Sequence, residues 1–208
     1  MTRLDIFSDP VCPWCLIGKL ELDAALAKRP DHPFSITWHP FRLNPQMPAK
    51  GMNRAEYLTA KFGENAASSQ DAFLERAAQL GVTVVPPVWQ PDTTNAHRLM
   101  HWAGLEGVQD AVMTGLLKAH WFEGEDIADP ETLTRIAAAA GMNIEATARL
   151  LASDADRDEV TSRDSHARQR GINSIPTFIV ADTHAVSGAQ PAALWENVID
   201  ELTGAVTR

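Results

Sequence analysis

Strand character is confined to the two ends of this sequence, and a long stretch of helical pattern separates them. Residues Thr2 to Ser8 carry Leu4, Ile6 and Phe7 and then meet Asp9-Pro10, which reads as a short strand ended by a turn. From Pro13, the apolar residues Leu16, Ile17, Leu20, Leu22, Ala25 and Leu26 recur at helical spacing. Proline is tolerated in the first turn, and Pro30-Asp31 ends the run. Phe34 to Trp38 reads as a second strand, followed by an irregular connection marked by Pro40, Pro45, Pro48 and Gly51. Strand character returns after Gly171, in Thr177 to Val180 and, across a turn at Ala181 to His184, in Ala185 to Ser187. A closing helix from Pro191 places Leu194, Val198, Ile199 and Leu202 on one face.

Between Arg54 and Gln169 the composition turns to Ala, Leu and charged residues, with turn signals at Gly81, Pro86-Pro87, Gly124 and Gly141. Asp129-Pro130 illustrates a helix start: the aspartate caps, the proline suits the first helical position, and Leu133, Ile136, Ala137 and Ala140 fall on one face. The expected class is α/β: strand-helix-strand, a helical middle, then strand-strand-helix. That order is the one a thioredoxin fold gives when an all-helical insertion separates its halves. The expected boundaries are a discontinuous domain over 1–52 and 170–208 and an insertion over 53–169.

The chain has 208 residues, 45% of them hydrophobic, the balance of a protein able to bury a substantial core. Acidic residues outnumber basic ones 27 to 18, a formal charge of −9 that excludes a surface built to neutralise nucleic-acid phosphates or an anionic membrane. Its first residues, MTRLDIFSDP, lack the apolar core of an export signal, and the apolar run Ile136 to Ala140 is far short of the roughly 20 residues that span a bilayer. The expectation is a cytoplasmic protein. The sequence leaves the oligomeric state open.

Only two cysteines occur, as Cys12-Pro13-Trp14-Cys15 where the first strand gives way to the first helix. In a reducing compartment so close a pair points to redox work rather than to a structural staple. Unpaired N–H groups and the positive end of the helix dipole favour a thiolate at Cys12, the expected outer, attacking sulfur. Cys15, one turn inward, is placed to attack a mixed disulfide formed at Cys12 and release the product, while Pro13 restrains the turn. Neither Pro13 nor Trp14 supplies a cation, and Asp9 would oppose the thiolate if it pointed at the sulfur.

Rival uses of the pair fare worse. A zinc site needs about four ligands, and there is no second cysteine pair. His97 and His101 have the spacing of a metalloprotease helix, but Arg98 stands where that motif needs glutamate, so no metal is expected. Near the far end, Ser174-Ile175-Pro176-Thr177 places a proline directly before a strand, which alone could be a strand start. Beside a redox pair, a cis Pro176 would leave the backbone of Ile175 free to pair with an extended substrate. An apolar groove of Trp14, Phe41, Ile175 and Trp89 is expected around the thiols, with Trp14 partly exposed. Gly188-Ala189-Gln190-Pro191 opens a helix whose free donors could hold a carboxylate, or could simply form a turn.

DPVCPWCLIG (Asp9 to Gly18), PFRLNP (Pro40 to Pro45), NAHRLMHWA (Asn95 to Ala103), GINSIPTF (Gly171 to Phe178) and VSGAQP (Val186 to Pro191) come in this order along essentially the whole chain. Together they resemble the DsbA-like thioredoxin superfamily, and within it the FrnE-type branch of dithiol oxidoreductases. The resemblance implies reversible dithiol-disulfide exchange with protein or low-molecular-weight thiols by Cys12 and Cys15, with Pro176 beside them and His97 close to the site. It implies no tightly bound cofactor, with glutathione as a candidate co-substrate. Kappa-class glutathione transferases and 2-hydroxychromene-2-carboxylate isomerases are similar in fold but typically place serine where Cys12 stands. Two alternatives to exchange therefore stay open: a glutathione-dependent transferase or isomerase, and a redox-sensing module without turnover.

Overall fold

The computed structural model describes residues 1–204. In chain order the elements are β1 (Thr2–Ser8), α1 (Pro13–Lys28), β2 (Phe34–Pro40), β3 (Met52–Asn53), α2 (Arg54–Phe62), α3 (Ala66–Gln79), β4 (Trp89–Gln90) and α4 (Thr94–Glu106). There follow α5 (Gln109–Trp121), α6 (Pro130–Ala139), α7 (Ile144–Leu151), α8 (Arg157–Gln169), β5 (Thr177–Val180), β6 (His184–Ser187) and α9 (Ala192–Thr203). The central sheet has strand order β2-β1-β5-β6, with β1 parallel to β2 and antiparallel to β5. The two ends of the sequence thus share one sheet, as a thioredoxin fold requires, and the helical stretch projects from it.

Local chemistry explains the element starts. Pro13 presets the first turn of α1. Asp129, Asn143 and Asn53 each cap their helices through side-chain oxygens, with Asp129 accepting from Thr132 N at 2.9 Å. Strand β1 lies inside the sheet, and Leu4 through Ser8 are all buried, whereas edge strand β6 is mostly exposed. One piece of strand pairing inside the intervening stretch has no counterpart in the sequence pattern: β3 and β4 form a two-residue antiparallel ladder. Gly51 lets them meet, since its φ is +70° and a Cβ there would lie 2.6 Å from the Gln90 carbonyl oxygen.

A large core joins the sheet to the helices through residues such as Leu4, Ile6, Leu99, Leu116 and Trp121. Helix α9 docks through Trp195, whose ring lies 4.7 Å from Phe178, and through Ile199. Leu202, expected on that face, is exposed, because the bulkier indole at position 195 sets the helix's rotation on the sheet. Glu21 of α1 is buried between three segments: it accepts from Ala192 N at 2.7 Å and pairs with Arg76 of α3.

Candidate active site

Cys12 is the N-cap residue of α1, and its carbonyl accepts from Cys15 N at 3.1 Å and Leu16 N at 3.3 Å. A separate small apolar cluster surrounds the pair: Phe7, Phe41, Ala167, Ile172 and Ile175 pack against both cysteines. The two sulfurs are unbonded and both residues are almost fully buried, at 3% and 2% exposure. The sequence puts Cys12 outermost, yet the pair differs little in exposure, because the apolar cluster encloses both. The two differ instead in what they face: Cys12 lines a groove and Cys15 does not. Burial pushes the Cys15 thiol well above its ordinary range, and the neighbouring Cys12 sulfur adds to the effect.

The Ile175-Pro176 peptide bond is cis, and the Ile175 carbonyl faces Cys12 Sγ at 3.8 Å. The Ile175 N–H has no partner among the described residues. Pro176 also packs close to α1, where a Cβ on Gly18 would lie 3.0 Å from its ring. The far end of the chain therefore meets the cysteine turn.

Trp14 is 40% exposed on the rim. Phe41 lies behind the sulfurs, under the Arg168 guanidinium at 4.0 Å, so it backs the site and does not line the groove. Trp89 is held by its indole N–H on the Lys50 carbonyl, and its neighbour Gln90 takes the groove position instead. The Asp9 carboxylate is committed away from the thiols, accepting from Leu43 N at 2.6 Å and Thr93 Oγ1 at 3.2 Å. His97 is buried with Nε2 at 3.6 Å from that carboxylate. At that distance it makes no hydrogen bond, and it is absent from the groove lining, because the amphipathic turn of α4 points it inward.

The turn at Gly188-Ala189-Gln190 spends two of its donors within the chain. Gly188 N bonds the Pro176 carbonyl at 2.8 Å, and Gln190 Nε2 bonds the Ser187 carbonyl at 2.8 Å. The first donor of α9 already holds a carboxylate, that of Glu21.

The groove, of about 300 Å³, runs between the cysteine turn and the insertion, whose wall comes from α2, α3 and β4. Arg54, Tyr57, Leu58 and Lys61 face it from α2, and Gln90 from β4. Sequence reasoning missed this wall. Its signal is the i, i+3, i+4, i+7 spacing of those four α2 residues, which puts them on one helix face.

The model of the DSBA-like thioredoxin domain matches residues 3–200. This chain belongs to that family. A solved DsbA-like relative, a probable DsbA oxidoreductase from Streptomyces coelicolor, is 29% identical, with a TM-score of 0.85 over 100% of this chain and 92% of that one. Two other solved structures share the fold. The cytosolic disulfide reductase DsbM from Pseudomonas aeruginosa, solved with GSH, has 16% identity and a TM-score of 0.70 over 97% of this chain and 99% of that one. A 2-hydroxychromene-2-carboxylate isomerase has 18% identity and a TM-score of 0.73 over 99% and 100%. Among the described residues no helix is long and apolar enough to cross a membrane.

Proposed function

We propose that this DsbA-like protein is a dithiol-disulfide oxidoreductase that cycles Cys12 and Cys15. The carrying observation is the placement of Cys12 at the N-terminus of α1, in the groove, facing the Ile175 carbonyl, with Cys15 buried directly behind it. In the forward direction the Cys12 thiolate attacks one sulfur of a substrate disulfide. That S–S bond breaks, one substrate thiolate leaves, and a Cys12 mixed disulfide forms. Cys15 then loses its proton and attacks the Cys12 sulfur, closing the Cys12-Cys15 disulfide and expelling the second substrate thiolate. Two electrons pass to the substrate and each released thiolate takes a proton. The raised Cys15 pKa suits this order, since a neutral thiol behind a groove-facing sulfur waits for the mixed disulfide.

Substrates are protein or low-molecular-weight disulfides. The glutathione in the DsbM structure supports glutathione as a co-substrate, and that protein being a cytosolic reductase supports a cytoplasmic setting. The five ordered motifs support the FrnE-type branch. Retention of both sulfurs favours exchange over a transferase or isomerase, which needs a single group to activate its thiol.

The test uses the two serine variants. Cys15→Ser is expected to accumulate a mixed disulfide detectable as an intact-mass adduct, and Cys12→Ser to lose exchange with a small disulfide. Exchange in Cys12→Ser at the wild-type rate overturns the proposal.

A further inference from the structure

The groove wall contributed by α2 carries charge that the fold leaves uncompensated. Arg54 is 7% exposed, and its Nη1 donates to Gln90 Oε1 at 2.7 Å while its buried Nε has no partner. Gln90 is fully buried, and its Nε2 is likewise without an acceptor. Among the described residues no carboxylate pairs with Arg54, and burial pulls its pKa below the ordinary guanidinium range. Lys61, two turns further along the same face, is exposed and donates to the Tyr57 hydroxyl at 2.7 Å, again without an acidic partner. None of the groove's lining residues is Asp or Glu, in a chain whose net charge is −9.

Beneath this wall His120 is buried, and its pKa is pushed down to about 3, first by burial and then by Arg54, so it is neutral at pH 7. His120 therefore adds no charge here: Arg54 and Lys61 are the cations lining the groove, and the Asp9 carboxylate that also acts on His120 is already bonded to Leu43 N and Thr93 Oγ1. Burying a guanidinium without a counter-ion, beside an amide donor that lacks an acceptor, costs stability that an incoming acceptor would recover. A carboxylate has the right chemistry, because it accepts from two donors at once and neutralises the cation.

We infer that Arg54 and Gln90 form a carboxylate subsite, so that the preferred substrate is a small acidic disulfide or thiol whose sulfur meets Cys12 within the same groove. This rests on the exchange reading above and adds to it the substrate's charge and size. A volume of about 300 Å³ lies at the small-molecule end of binding cavities. Leu43, Leu58, Phe62 and Phe73 supply an apolar lining between the charged end and the thiol turn.

The test compares three linear disulfides of similar length: dithiodipropionate (anionic), hydroxyethyl disulfide (neutral) and cystamine (cationic). Each oxidises the reduced protein, and each rate constant is divided by that of dithiothreitol with the same disulfide, which removes intrinsic reactivity. The expected order is dithiodipropionate, hydroxyethyl disulfide, cystamine. The first should exceed the second by about tenfold, the scale of one charge-assisted contact, and the margin should shrink as salt is added. Arg54→Gln should collapse the anionic-to-neutral ratio, and Arg54→Lys should restore part of it. Lys61→Gln, at an exposed position, gives a smaller loss and serves if the buried variant fails to fold. A wild-type ratio near one, or a ratio unchanged in Arg54→Gln, overturns the subsite. If none of the three oxidises wild-type protein, exchange itself fails, and the subsite with it.

Discussion

Two buried arginines each lie over a tryptophan ring at 5.0 Å, Arg98 on Trp102 and Arg54 on Trp121. Their donors differ. Arg98 is fully buried and spends its side chain on Ala155 O at 2.6 Å, Asn95 Oδ1 at 2.9 Å, Leu150 O at 2.7 Å and Ser153 O at 2.8 Å, tying α4 to the α7–α8 connection. Arg54 has one such bond, to a glutamine whose own amide is unpaired. Burial of a cation is common to both and explains neither. The count of satisfied donors separates an arginine that holds the fold together from one that is available to a ligand.

Replacing each arginine by methionine is the strongest way to break this comparison. Arg98→Met strands the Ser153 and Ala155 carbonyls, the Leu150 carbonyl keeping its bonds from Ser153, and should cost about 3 kcal/mol, whereas Arg54→Met removes an uncompensated charge and should fall within about 1 kcal/mol of wild type. Urea midpoints measure both, and equal losses would end the distinction.

A smaller effect is expected in acid. His120 has a depressed folded-state pKa, so its contribution to stability is present above its ordinary 6.5 and is lost as pH falls toward about 3. Arg54 is one cause of that depression. Arg54→Met should therefore move acid unfolding to lower pH in a circular-dichroism titration, and Arg98→Met should give no such protection.

The smallest effect is a ligand shift. Glutarate, a dicarboxylate without sulfur, should raise the melting temperature of wild-type protein by about the equivalent of 1 kcal/mol at a concentration several times its Kd, and should leave Arg54→Met unmoved.

The thiol side of the groove was legible and the insertion side was not. Cys12 and Cys15 announce themselves because they are the only two cysteines and stand at the start of the first helix, Pro176 because it directly precedes a strand, and the alternation of strand and helical runs at the two ends gave the sheet. Arg54 and Gln90 lie 36 positions apart and meet through a two-residue ladder too short to leave any periodicity. Glu21 on the N-terminus of α9 is a contact across 171 positions, which local spacing cannot reveal. His97 reads as a site residue by resemblance, and only three-dimensional packing turns it toward Asp9.

Strand β1 sits between β2, which follows it closely, and β5, which begins at Thr177. A chain growing from its N-terminus therefore has its thiols and the first helix long before it has the strand that covers one side of β1 and the Ile175 carbonyl that faces Cys12. At least the 163 positions that separate Cys12 from Ile175 must follow before the groove has its second end. A nascent or truncated chain would present two reactive sulfurs beside an open strand edge. The interleaved topology thus makes the surroundings of the cysteine turn depend on a segment 163 positions downstream.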